Sequence, residues 1–139
     1  KSEVESGDFL CLYTGFADLL LSMNKKPDGD VLARSCAVLD GRDDKLLDWI
    51  TESGIVAICA DNFAVEAYPA RPTDAETHPA LPLHNLCLFK QGIHLGELWY
   101  YAELAAFLRK ANRSSFFLTA PPLRLPGSVG SPLTPIATV

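Results

Sequence analysis

The side chains of this 139-residue sequence best suited to chemistry are its three histidines, His78, His84 and His94, and the carboxylates near them. Imidazole nitrogens and carboxylate oxygens together hold a divalent cation while leaving a position open for water, the donor set of hydrolytic metal sites. Two pairings stand out. His94 and Glu97 lie three positions apart, a spacing that would put both on one face of a helix. Gly92 and Gly96 flank them, however, and the local pattern is that of a strand. His84 and Glu97 instead run from the start of a short helix to the end of the strand that follows. On spacing alone this second pair is weak evidence, and a polar histidine at a helix start with a solvated glutamate is the better reading.

Other polar side chains are secondary candidates. Asp61 ends an apolar run, where α/β proteins often place functional groups, and it could equally cap the loop through Asn62 and its neighbours. Glu66 reads as an ion-pairing or loop-bracing residue and is also a candidate for the site. His78 fits a solvated loop position and His94 a polar strand position. Trp99, Tyr100 and Tyr101 have the aromatic bodies and polar tips that suit a pocket wall, with core packing the better reading of Trp99.

The elements that must position these groups follow from local pattern. Phe9 to Tyr13 is a short apolar run that reads as a strand ending at Gly15, and Phe16 to Met23 reads as a short helix. Asn24 to Gly29, with Pro27, reads as a loop. Asp43 or Asp44 can cap a helix whose Leu46, Leu47 and Ile50 share one face, and Gly54 supplies its stop. Ile55 to Ala60 follows as a buried strand of continuous apolar character. Asp61 to Leu83 contains Pro69, Pro72, Pro79 and Pro82 and predicts irregular structure. His84 to Gln91 predicts one or two helical turns closed by Gly92, then a strand over Ile93 to Leu95. Glu103 to Lys110 predicts a helix with Leu104, Phe107 and Leu108 inward, and Phe116 to Ala120 a last strand before a Pro/Gly-rich tail.

Composition bounds the function classes. Hydrophobic residues make up 48% and charged residues 21%, so the chain can build a core of ordinary globular type. Twelve basic against seventeen acidic side chains leave no clustered positive field, which argues against nucleic acid as a partner. No stretch reaches the roughly 18–20 apolar residues of a membrane span, and the first residues lack a signal-peptide core, so a soluble, cytoplasmic protein is expected. Cys11, Cys36, Cys59 and Cys87 form no CxxC pair, and three of them lie in apolar runs, where a thiol behaves as a small hydrophobe. Spacing alone does not exclude a disulfide among them. The chain opens on Lys1 and its one methionine is Met23, a pattern expected of a portion of a longer protein.

From Pro82 onward, PLHNLCLFKQGIHLGELWYYAELAAFL resembles a stretch of the cyclase family of metal-dependent hydrolases, which includes kynurenine formamidase and isatin hydrolase. In that stretch a histidine begins a short helix, a glycine ends it, and a glutamate closes the next strand. FFLTAPPLRL (116–125) and GSVGSPLTPIA (127–137) are similar to the family's following strand with its Pro-Leu turn and to its Gly-Ser-Pro closing motif. Upstream, GDFLCLYTGF (7–16) and ITESGIVAICADNFAVEAYP (50–69) are similar to its strand before a Thr-Gly turn and to its helix, strand and Asp-Asn segment. The resemblance runs in order over nearly the whole chain. After the glutamate the family usually reads Asn/Asp-Leu-Asp-x-Leu, where this sequence has Tyr100-Tyr101-Ala102-Glu103-Leu104.

The resemblance implies an α/β fold of the swivelling β/β/α type, with residues 1–139 forming the C-terminal part of a single cyclase-like domain. It implies His84 and Glu97 as ligands of a divalent metal, zinc or manganese. The implied reaction is hydrolysis of an amide or lactam C–N bond in a small-molecule substrate, of the aryl formamide class met in tryptophan catabolism or the cyclic amide class, by a homo-oligomer. The family's first metal motif, of the form HxGTHxDxxxH, is absent, which implies a missing N-terminal segment or a partner chain, as in a split enzyme, and a chain that is inactive alone. Two other readings stand beside this one: a non-catalytic binding or scaffold protein with the cyclase fold, and a metal-dependent cyclase or lactonase acting on C–O bonds.

Overall fold

Strand β1 (Phe9–Leu12) pairs in parallel with β2 (Ala57–Ala60), and β2 pairs in parallel with β3 (His94–Gly96), giving a three-stranded sheet in chain order. These elements come from a computed structural model of the chain, which describes residues 3–139. Two compact units are present, residues 3–102 and residues 103–139.

In the first unit, β1 leads through α1 (Phe16–Ser22) and a one-turn helix α2 (Gly29–Leu32) to α3 (Asp44–Ser53). Asp43 caps α3 as its position predicts, accepting the Leu46 N–H at 2.8 Å, and Gly54 ends it with φ 72°. The turn of α2 falls just past the predicted loop, because Asp28 accepts the N–H groups of Asp30 and Val31 and nucleates it. Every residue of β2 is buried, as its unbroken apolar run requires. Ile50 of α3 packs with Ile55, Ile58, Ala60, Val65, Leu83, Cys87 and Ile93 in the core, flanked by Leu46 and Leu47.

Residues 61–81 carry no helix or strand beyond a bridge between Leu39 and Glu66. The chain then enters α4 (Pro82–His84), which continues as a π-helix over Asn85–Gln91 rather than as α-helical turns. Its exit is set by the Cys87 carbonyl, which accepts from both Gly92 and Ile93, with Gly92 at φ 70°. That shared acceptor closes the wide ladder and delivers the chain into β3, one residue later than the pattern predicts.

The second unit holds most of α5 (Ala102–Lys110) and a two-stranded antiparallel sheet of β4 (Phe117–Thr119) and β5 (Ile136–Thr138). Within α5, Leu108 is buried and Leu104 half-buried, whereas Phe107 is exposed. Adjacent helical residues stand roughly 100° apart, so the face that buries Leu108 turns Phe107 away from it. β5 lies in the stretch predicted to be an irregular tail; three residues are too few for an alternating pattern to register. No helix among the described residues is long and apolar enough to cross a membrane.

Candidate functional site

The site begins with a proline. Pro82 opens α4, where its missing N–H costs nothing. The next two N–H groups, of Leu83 and His84, point to the carboxylate of Glu66 at 2.9 and 2.8 Å, and Asn85 N–H reaches Leu81 O at 3.1 Å. Leu81, the residue before the helix, offers no side-chain cap. A glutamate from a distant loop therefore performs the capping that a local Ser or Asp usually provides.

The same carboxylate sets the His84 ring. Glu66 Oε1 lies 2.8 Å from His84 Nδ1. Both Glu66 oxygens already accept backbone N–H groups, and a donated Nδ1–H completes that acceptor set. His84 Nε2 then faces Glu97 Oε1 at 3.1 Å, and the other Glu97 oxygen accepts Ala64 N–H at 3.0 Å. Glu66 is fully buried, while His84 and Glu97 are partly open, their side chains 21% and 31% exposed. The imidazole is thus clamped between a buried carboxylate that fixes it and a more open one that shares its free nitrogen.

The loop carrying Glu66 is strained. Ala64 and Val65 have φ 67° and 60°, and Leu98, just past Glu97, has φ 57°. Each such non-glycine residue costs on the order of 1–3 kcal/mol, and a β-branched residue there is a marked outlier. The conformation is held by ties at both ends. Leu39 N–H bonds Val65 O and Ala67 N–H bonds Leu39 O, while Leu98 N–H bonds Asn62 O and Trp99 N–H bonds Ala60 O. Gly41 completes the packing: a Cβ there would run into Glu66 Oε2 and stand 2.9 Å from Leu83 N. Arg42 straps down the proline-rich approach to α4 through Arg71 O, Pro79 O and His78 Nδ1.

The other candidates separate clearly. Asp61 is fully buried and braces the Thr14-Gly15 turn, accepting Thr14 N–H and Oγ1–H at 2.7 Å each and Gly15 N–H at 2.8 Å. Its partners lie across the sheet rather than in its own loop. His94 is exposed on β3 and forms no helical pair with Glu97, and His78 is an exposed loop residue held by Arg42. Trp99 and Tyr101 are buried, with ring centroids 6.2 Å apart, and Tyr100 is exposed. Glu66 takes the ion-pairing, bracing role expected of it, but its partners, His84 and the start of α4, become visible only once α4 is folded against it.

A cavity of about 280 Å³ lies elsewhere in the first unit, lined by Cys11, Leu12, Tyr13, Thr14, Val38 and Asn62 among others. His84, Glu66 and Glu97 take no part in it. Asn62 donates from Nδ2 to Ala37 O at 2.9 Å, but its buried Oδ1 has no partner among the described residues.

The donor set at His84 fits a cation. Two ligand atoms, each about 2.1 Å from one ion and adjacent in its coordination shell, stand roughly 3 Å apart, the spacing of His84 Nε2 and Glu97 Oε1. Glu66 on Nδ1 matches the outer carboxylate that commonly fixes a ligating imidazole. Among the described residues, no three His, Cys, Asp or Glu converge as a complete ligand set. His84 and Glu97 would therefore fill two ligand positions and leave the others to be supplied.

The chain is similar to a crystal structure described as that of a novel cyclase, with 32% sequence identity and a TM-score of 0.78. The similarity covers 98% of this chain and 40% of that one, so the chain spans well under half the length of that protein. No protein-family model and no curated protein matches the sequence.

Proposed function

We propose that this chain is part of a cyclase-family, metal-dependent hydrolase of amide or lactam C–N bonds in small molecules, with His84 and Glu97 holding zinc or manganese. The observation that carries the reading is the His84 imidazole clamped between the buried Glu66 and the more open Glu97. The similarity to a solved cyclase along nearly the whole chain supports the family assignment and the swivelling β/β/α fold that comes with it.

In this reading Glu66 Oε1 keeps the proton on His84 Nδ1, so Nε2 presents its lone pair outward. Glu97 presents Oε1 beside it, and its rotation is limited because Oε2 is tied to Ala64 N–H. A bound divalent cation would supply Lewis acidity to the substrate carbonyl and activate water for attack on it. Glu97 could also take a proton at a carboxylate oxygen during turnover and return it to the leaving nitrogen. The remaining metal ligands belong to a segment or chain outside residues 1–139, and the proposal predicts no turnover without them.

The same 3.1 Å contact is also that of an imidazolium–carboxylate pair, which favours a second reading: a non-catalytic protein that keeps the fold. Elemental analysis of the native gene product, with a panel of aryl formamides, cyclic amides and lactones, separates the readings. Stoichiometric zinc or manganese with chelator-sensitive amide hydrolysis is expected. Metal near zero would leave the scaffold, and activity confined to lactones would move the reaction to C–O bonds.

A further inference from the structure

Cys11 on β1 and Cys59 on β2 stand directly opposite each other in the parallel ladder. Side chains in register on neighbouring strands project from one face of the sheet, so these two thiols are neighbours. Adjacent strands lie about 4.8 Å apart, within the Cα separations of roughly 4.4–6.8 Å that disulfides bridge. The register therefore needs no change for the two sulfurs to bond. Cys59 Sγ leans toward Gly96 on β3, where a Cβ would stand 2.9 Å from it, so it must turn about χ1 toward β1 to do so.

Access is one-sided. Cys59 is 2% exposed, whereas Cys11 is half-buried and lines the cavity of about 280 Å³. That cavity gives a small peroxide a route to Cys11 and not to Cys59.

We propose that Cys11 and Cys59 form a dithiol site that hydrogen peroxide, or a small organic hydroperoxide, oxidises to a cross-strand disulfide. The hydrogen bond with Cys59 draws the Cys11 thiol down to about 7, against burial, and the Tyr101 hydroxyl adds to the lowering. Cys11, which lines the cavity, is the attacking thiolate and the enclosed Cys59 the resolving thiol. Cys11 Sγ attacks one peroxide oxygen, the O–O bond breaks, and the departing hydroxide takes a proton to become water. The resulting sulfenic acid is attacked by Cys59 Sγ as that thiol loses its proton; the S–O bond breaks and a second water leaves. Two thiols are oxidised by two electrons and one peroxide is reduced to two waters. The site is independent of the reading of His84 and Glu97.

The test uses the full chain carrying Cys36→Ser, which removes the exposed thiol and leaves the buried Cys87 as a control. One equivalent of hydrogen peroxide is expected to lower the intact mass by about 2 Da, with a Cys11–Cys59 linked peptide on mapping and full reversal by dithiothreitol. With Cys59→Ser, a dimedone adduct is expected to accumulate at Cys11. The linked-peptide measurement decides the matter even should that variant fail to fold. A sulfenic or sulfinic acid persisting at Cys11 beside an intact Cys59 thiol would overturn the proposal. So would two unreacted thiols under hundredfold peroxide while the denatured chain reacts.

Discussion

A single oxygen of Glu66 receives both the backbone N–H and the ring Nδ1–H of His84, each at 2.8 Å, across eighteen positions of sequence. Helix start and imidazole orientation are thereby one structural event. The carboxylate that satisfies the first free N–H groups of α4 also decides which nitrogen of the ring faces outward, and Gly41 and the strained turn at Ala64 and Val65 exist around it.

Replacing Glu66 by Gln tests this coupling. A glutamine keeps the size but turns an amide N–H₂ toward at least one of three N–H donors, leaving buried groups unpaired. A loss of about 2–3 kcal/mol in urea unfolding is expected, together with a fall of roughly 10- to 100-fold in metal affinity of the native gene product. Unchanged stability and metal binding would refute the orienting role.

Glu97→Gln separates the metal role from the fold. The glutamine carbonyl can still accept Ala64 N–H, so unfolding should move by under about 1 kcal/mol. Loss of the anionic oxygen beside His84 Nε2 should nonetheless raise sensitivity to chelators. His84→Ala should lower bound metal and remove most turnover in the same native protein; wild-type metal content in either variant counts against the ligand assignment.

Gly41→Ala probes packing behind the site. The added methyl group meets Glu66 Oε2, Pro82 Cγ and Leu83 N. Two of these belong to a backbone and ring that cannot swing aside, so a loss of about 1–3 kcal/mol in denaturant unfolding is expected. An unaffected midpoint would show that α4 is not seated as described.

Stability should also fall at alkaline pH for a named reason. Burial, and secondarily the charge of Glu66, push the Cys87 thiol from 9.0 up to about 11. A raised folded pKa contributes stability that is present below the unfolded value and lost as pH climbs through the folded one, here between about 9 and 11. Urea midpoints of Cys87→Ala at pH 8 and pH 10.5 should therefore differ less than those of the unaltered chain.

Much of the fold is legible in local pattern, because the controlling interactions are local. Asp43 and Gly54 bracket α3, the apolar run ending at Ala60 makes a fully buried strand, and three prolines keep residues 61–81 irregular. Sequence also singled out His84 and Glu97 as a pair, by resemblance rather than by spacing. Tertiary structure alone decided that they meet at 3.1 Å, that Glu66 fixes the imidazole and that Asp61 reaches back to Thr14 and Gly15. It also set Cys11 opposite Cys59. Each of these contacts joins residues at least thirteen positions apart, and their partners are set by strand order and loop ties. Such pairings depend on which surfaces the core brings together, and periodicity along one chain carries no record of that.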